Sequence, residues 1–234
     1  MTKKNKEGFE TRAIHAGQKA DPTTGAVMMP IYTSSTFEQE SPGVHKGFDY
    51  SRSINPTRKA FEECIASLEN GEVGFGFSSG VAAISACVEL LSPGDHVIAM
   101  NDLYGGTVRL FNEIKTLSQG IEVTYVDMTD MQNVFEAKTD KTKMIFVETP
   151  TNPLLRVVDL SAIAEFAKAE NILSVCDNTF ASPYVQQPLN HGIDIVLHSA
   201  TKYLGGHSDL IAGALVIGKK DDALVSRMAN IVNS

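Results

Sequence analysis

The sequence predicts an α/β fold built on one mostly parallel seven-stranded sheet with helices on both faces. Three observations carry this expectation. From residue 56 onward, short apolar runs alternate with segments of helical periodicity. The apolar runs are continuous, which marks strands covered on both faces. The chain has 234 residues, enough to bury a large core in one domain.

Residues 1–55 come first and differ from the rest. Asp21-Pro22, Gly25, Pro30 and Ser41-Pro42-Gly43 punctuate them, and no periodicity persists. They read as an extended N-terminal arm that a neighbouring subunit would order. The large domain, 56–234, opens with a helix carrying Phe61, Ile65 and Leu68 on one face, with Gly71 as its stop. Strands are expected at Val73–Phe77, His96–Met100, Ile121–Val126, Lys143–Val147, Ile172–Cys176, Ile193–Leu197 and Leu210–Ile217. Helices are expected over 80–91, 105–118, 130–138 and 159–170. The segment 177–192 contains Pro183 and Pro188, and 198–209 is rich in Gly and Ser, so neither makes a good crossover helix. A parallel neighbour needs such a crossover, so the final strand is expected to run antiparallel. A helix carrying Leu224, Met228 and Ile231 begins near the end and stops uncapped, as if the chain were cut inside a larger architecture.

A net charge of −8 with no basic cluster disfavours nucleic acid and anionic membrane as partners. The N-terminus has no apolar segment of the signal-peptide kind, and no run reaches membrane-spanning length, so a cytoplasmic location is expected. Cys64, Cys87 and Cys176 are scattered and read as small hydrophobes, with no metal site.

Ligands of open α/β sheets collect beyond the carboxyl ends of the strands. After the first strand, Ser78-Ser79-Gly80 open a helix; they read as an anion site or as a plain cap. Gly74, Gly76 and Gly80 with Asp102 loosely imitate a nicotinamide-binding fingerprint, but the spacing is wrong and two of the glycines lie inside the strand. Tyr104 precedes Gly105-Gly106 and could stack on a flat ring or cover the sheet edge. Glu148 and Asn152 lie in a proline-rigid loop. Asp177 ends a buried strand with no cation beside it in sequence, so its partner is distant or is a ligand. Lys202, bracketed by Ser199 and Thr201, is a nucleophilic amine if desolvated, or a neutraliser of a nearby carboxylate. Together these residues match one demand. Pyridoxal 5′-phosphate (PLP) needs an amine for its aldehyde, an acid for its ring nitrogen, an anion site and a flat surface.

The stretches "YSRSINPTR", "FSSGVAAISA", "DLYGGTVR", "ETPTNPLLRVVD", "VCDNTFASPY" and "HSATKYLGGHSD" also resemble the Cys/Met-metabolism enzymes of the type I PLP-dependent transferase fold. Members of that family include cystathionine γ-synthase, cystathionine γ-lyase, cystathionine β-lyase and methionine γ-lyase. The resemblance implies that Lys202 carries the cofactor as a Schiff base and shuttles protons. Asp177 would pair with the pyridine nitrogen, and Tyr104 would stack on the ring and act as an acid. Ser79, Gly80, Val81, Ser199 and Thr201 would surround the phosphate, with Asn152 and Thr179 also at the cofactor. Tyr50 and Arg52 would complete a neighbour's site in a homotetramer, a dimer of dimers.

The implied activity is a carbon–sulfur lyase of transsulfuration, splitting cystathionine by β- or γ-elimination. The alternatives are γ-replacement on an activated homoserine ester, or methionine γ-lyase chemistry. Gly106 stands where methionine γ-lyases usually carry Cys, which counts against the last. The resemblance also implies a further C-terminal domain with the arginine for the substrate α-carboxylate, so an inactive PLP-binding fragment is the remaining alternative.

Overall fold

The structure, a computed structural model, describes residues 7–218 and 222–234. The arm begins with a short helix, α1 (Phe9–His15), and a small hairpin of β1 (Gln39–Ser41) and β2 (Val44–His45). Pro42-Gly43 make its turn, with Gly43 at a φ of 80° that favours glycine. The arm is therefore not wholly extended. It is also tied down within its own chain. Arg12 donates to the Ser67 carbonyl, Thr57 Oγ1 donates to the Pro30 carbonyl at 3.0 Å, and Arg58 Nη2 donates to the Ser53 carbonyl at 2.7 Å. These partners belong to α2 (Pro56–Leu68) or its margins. The Asn55 side chain caps α2 by accepting from Thr57 and Arg58, and Pro56 supplies a first residue with no N–H to satisfy.

The elements that follow are β3 (Val73–Phe77), α3 (Gly80–Val88), β4 (His96–Met100), α4 (Gly105–Arg109), a π-helical stretch over Leu110–Lys115, and α5 (Thr116–Gln119). Then come β5 (Glu122–Val126), α6 (Met131–Ala137), β6 (Thr142–Glu148), α7 (Leu160–Ala169), β7 (Leu173–Asp177), α8 (Ser182–Val185), a 3-10 turn at Pro188–His191, β8 (Ile195–Ser199), β9 (Gly213–Ile217) and α9 (Asp222–Asn233). Every expected strand is present. The expected helix over 105–118 contains a wider π turn. The boundaries of the last strand move inward, because Leu210 to Ala212 belong to a loop.

The seven large strands form one sheet in the order β3-β9-β8-β7-β6-β4-β5. β9 runs antiparallel to both β3 and β8, as the poor crossover at 198–209 predicts, and the other pairs are parallel. β7 and β8 pair in parallel although no regular helix joins them; two short helical turns span the gap. β9 is buried throughout and shows why both faces are covered. Ala214 and Val216 meet Ile65 and Ala66 of α2, whereas Leu215 and Ile217 join the main core. Among the described residues, no helix is long and apolar enough to cross a membrane.

This topology puts the carboxyl ends of β3, β4, β6, β7 and β8 on one edge. Being antiparallel, β9 brings its first residue, Gly213, to that same edge.

Candidate active site

A cavity of about 970 Å³ opens at this edge. Ser79, Gly80, Val81, Tyr104, Glu148, Asn152, Asp177, Thr179, Ser199, Thr201 and Lys202 all line it. Residues from five strand ends thus meet in one place.

The start of α3 forms one wall of the cavity. Ser79 is the N-cap, its hydroxyl accepting from the Ala82 N–H at 3.1 Å. Helix starts leave backbone N–H groups without intrahelical partners, and the helix dipole favours an anion there. The approach of α3 to β8 requires glycine. A Cβ on Gly80 would lie 2.6 Å from Ser199 Cβ, and one on Gly213 would lie 2.1 Å from the Ser79 carbonyl oxygen.

Asp177 ends β7 and is buried. It accepts from the Thr179 N–H at 3.0 Å, and Thr179 Oγ1 accepts from the Ser199 N–H at 2.8 Å, so one threonine joins the β7 and β8 loops. Burial raises the Asp177 carboxyl above its ordinary value, opposed by the Thr179 hydrogen bonds and by His198. Among the described residues Asp177 has no salt-bridge partner. A buried carboxylate in that state suits a cationic ligand atom.

Glu148 lies opposite Asp177 in the β6–β7 register. Its Oε2 accepts from the Tyr104 N–H at 2.9 Å. Burial first, then the Asp177 charge, pushes its carboxyl up to about 8. The Tyr104 ring is seated because its neighbour lacks a side chain: a Cβ on Gly106 would stand 2.3 Å from Tyr104 Cε1. Tyr104 remains 45% exposed, so a flat ligand can reach it.

Lys202 follows β8 in a tight loop, with its N–H donating to the Ser199 carbonyl at 3.1 Å and its carbonyl accepting from Gly206 at 2.8 Å. Its side chain is exposed, not desolvated as the strand-mouth position suggests, because the cavity is open on this side. Thr201 Oγ1 is engaged by Ala212, donating to its carbonyl at 3.2 Å and accepting from its N–H at 3.1 Å. That clamp closes the 201–212 loop and leaves the hydroxyl little capacity for a ligand.

Tyr50 and Arg52 are not part of this cavity. Arg52 stands over the Tyr50 ring at 5.4 Å and donates to the Asn233 carbonyl of α9. The nicotinamide reading fails on geometry. Asp102 is buried and accepts from Thr151 and, at 3.1 Å, from the Leu154 N–H, so it anchors the 149–156 loop. A Cβ on Gly74 would lie 2.3 Å from the Glu62 carbonyl oxygen, so that glycine serves the packing of α2 on β3.

Phe180 and Tyr203, which no sequence motif singles out, meet edge to face at 5.8 Å on the cavity rim. A buried polar layer lies beneath. Asn178 Nδ2 and His198 Nε2 both reach Glu69 Oε1, at 2.8 and 2.6 Å. Strand alternation was the available signal: Asn178 and His198 each neighbour a cavity residue, so each points to the opposite face.

These residues fit PLP. The cavity is large enough for a small cofactor. It offers a helix start for a phosphate, a buried acid without a cation, an exposed aromatic face and a reachable amine.

The family model for Cys/Met metabolism PLP-dependent enzymes matches residues 10–234. A cystathionine β-lyase of Coxiella burnetii is 59% identical over 93% of the chain, which covers 57% of that protein. A cystathionine γ-lyase of Dictyostelium discoideum is 47% identical over 100% of the chain, which covers 60% of that protein. The crystal structure of cystathionine γ-lyase from Lactobacillus plantarum, complexed with L-serine, superposes with a TM-score of 0.93 at 51% identity. That match covers 97% of this chain and 58% of the other. The chain therefore spans less than two thirds of the length of these relatives.

Proposed function

The chain belongs to the Cys/Met metabolism PLP-dependent enzyme family, and from that premise we propose that it is the cofactor-bearing part of a carbon–sulfur lyase acting on cystathionine. The observation that carries the reading is the convergence of Lys202, Asp177, Tyr104 and the α3 start on one cavity. A relative named β-lyase at 59% identity supports elimination, while relatives named γ-lyase and γ-synthase match at 50% and 49%.

The roles proposed for this chain's residues follow from charge and reach. Lys202 Nζ would hold the cofactor aldehyde and would serve as the base for the proton on the substrate α-carbon. Asp177 would hold the proton of the ring nitrogen by its negative charge. Bound in this way, PLP supplies an electron sink for the α-carbon. Ser79, Gly80, Val81 and Ser199 hold the phosphate, with Thr201 fixing the loop. Thr179 orients Asp177. Tyr104 would cover the ring and would donate a proton toward the departing sulfur. Asn152 sits near the substrate carboxylate.

The finer assembly belongs to the same proposal. The arm, 1–55, serves a neighbouring subunit, whose site Tyr50 and Arg52 complete in a cytoplasmic homotetramer. Releasing Arg52 from the Asn233 carbonyl is the rearrangement this requires.

Titration with PLP tests the reading. The chain should gain a visible absorption band, and borohydride should fix the cofactor at Lys202. Lys202→Ala should lose both. A chain that forms no borohydride-reducible link at Lys202 would sink the proposal. With cystathionine, pyruvate plus homocysteine marks β-cleavage, and 2-oxobutyrate plus cysteine marks γ-cleavage.

A further inference from the structure

The cavity holds a second buried acid that the proposed mechanism does not use. Glu148 is 5% exposed and Asp177 6%, and they stand side by side at the ends of β6 and β7. Neither has a salt-bridge partner among the described residues. Two adjacent carboxyls removed from water do not both ionise, since each charge raises the cost of the other. Asp177 accepts from Thr179, which favours its ionised form. Glu148 has one short contact, the Tyr104 N–H at 2.9 Å, which joins it to a residue 44 positions away.

We infer that Glu148 is a positioning residue, acting through Tyr104 and Asp177: its carboxyl fixes the Tyr104 loop over the cavity and leaves Asp177 the single negative charge on the cavity floor. The role toward Asp177 rests on the PLP reading; the role toward Tyr104 does not.

The arrangement has a clear division of labour. A carboxyl oxygen accepts the Tyr104 N–H whether or not the other oxygen is protonated. The clamp therefore survives while the acid stays neutral. The groups acting on Glu148 are Asp177 and Cys176 on β7, Asp102 after β4, and Tyr104 at the start of α4. None of these is basic; Lys202 lines the same cavity but is exposed to water. The raised carboxyl of Glu148 accords with that surrounding.

Two variants and three readouts test this. Glu148→Gln keeps an acceptor and removes the titration; Glu148→Ala removes both. Hydrogen exchange at the Tyr104 amide, measured without cofactor, should speed at least about tenfold in Glu148→Ala and stay near wild type in Glu148→Gln. Infrared difference spectra across neutral to alkaline pH should show a protonated carboxyl losing its proton near pH 8, and Glu148→Gln should abolish it. With PLP, Glu148→Ala should bind at least about tenfold more weakly, and Glu148→Gln should bind as wild type does but without an alkaline shift of the visible band. Unchanged Tyr104 exchange in Glu148→Ala, or an infrared signal that persists in Glu148→Gln, would overturn the inference. If Glu148→Ala does not fold, the infrared comparison with Glu148→Gln still decides. Failure of the wild-type chain to take up PLP strikes the cofactor reading, and leaves the exchange and infrared results to judge Glu148.

Discussion

His198 Nε2 lies 2.6 Å from Glu69 Oε1, and their side chains are 1% and 0% exposed. The pair joins the C-cap of α2 to β8, directly beneath the strand end that leads to Ser199 and Lys202. Asn178 Nδ2 adds a second hydrogen bond to the same Glu69 oxygen, and the Gln186 amide donates to Asn178 Oδ1 at 3.0 Å. Burying such groups is tolerable only while their partners remain. Glu69→Ala should therefore destabilise the chain by about 3–5 kcal/mol, read from the urea midpoint at constant slope. Glu69→Gln keeps an acceptor and should cost less. Equal losses in the two variants would assign the effect to packing.

Glycines at the cavity should be sensitive for a different reason. At Gly80 the obstacle is Ser199, with Cβ at 2.6 Å and Cα at 2.8 Å; at Gly213 it is the Ser79 carbonyl oxygen, part of the backbone. Neither obstacle can rotate away, since Ser199 Cα and Cβ are as fixed as the Ser79 carbonyl, and the approach at Gly213 is the closer of the two. Both Gly80→Ala and Gly213→Ala should lose about 1–3 kcal/mol of stability, with Gly213→Ala the worse. Both displace the start of α3, so PLP affinity should fall in each, measured by absorbance titration. Folded variants with wild-type affinity would show that the α3 start is not where the phosphate is held.

The strands and their direction were legible because each is a local pattern. Val97 to Met100 and Ile195 to Leu197 are apolar on both faces, and nothing distant is needed to read them. The antiparallel β9 was legible from the Gly- and Ser-rich segment before it. The cavity residues could be named because each follows a strand. Partners were another matter. Glu69, in "LENG", reads as a surface charge after a helix, and nothing local says that His198 will meet it 129 residues later. Asp102 looked like a ligand residue because sequence cannot show that Thr151 and the Leu154 N–H occupy it. The arm looked unsupported because its anchors, Thr57 and Arg58, are counted with the helix they open.

That correction at Asp102 is itself testable. Asp102→Ala would strand the Leu154 N–H and the Thr151 hydroxyl, at a cost of about 1–3 kcal/mol. The 149–156 loop should lose hydrogen-exchange protection first. Since this loop carries Asn152 to the cavity, substrate affinity should drop more than cofactor affinity. NADH should not bind the wild-type chain; saturable NADH binding that Asp102→Ala abolishes would restore the nicotinamide reading.

The paired acids on the cavity floor set a pH dependence whose sign can be worked out. The Glu148 carboxyl lies at about 8 in the folded chain against an ordinary 4.5, chiefly through burial. Between those values the folded state holds a proton that the unfolded state has released. Stability must then fall as pH rises from about 4.5, and level off above about 8. Asp177 is also raised, so it acts in the same direction from a lower starting point. His96 opposes them in the acid range. Burial between Thr142 and Thr124 lowers its pKa, so it contributes stability that is lost as pH falls below its ordinary 6.5. The difference between wild type and Glu148→Gln isolates the first effect. In cofactor-free chain, the stability of Glu148→Gln relative to wild type should rise by a few kcal/mol from about pH 5 to about pH 9, read by urea titration. A difference that does not change with pH would mean that Glu148 is ionised throughout, and that water or a cation reaches it.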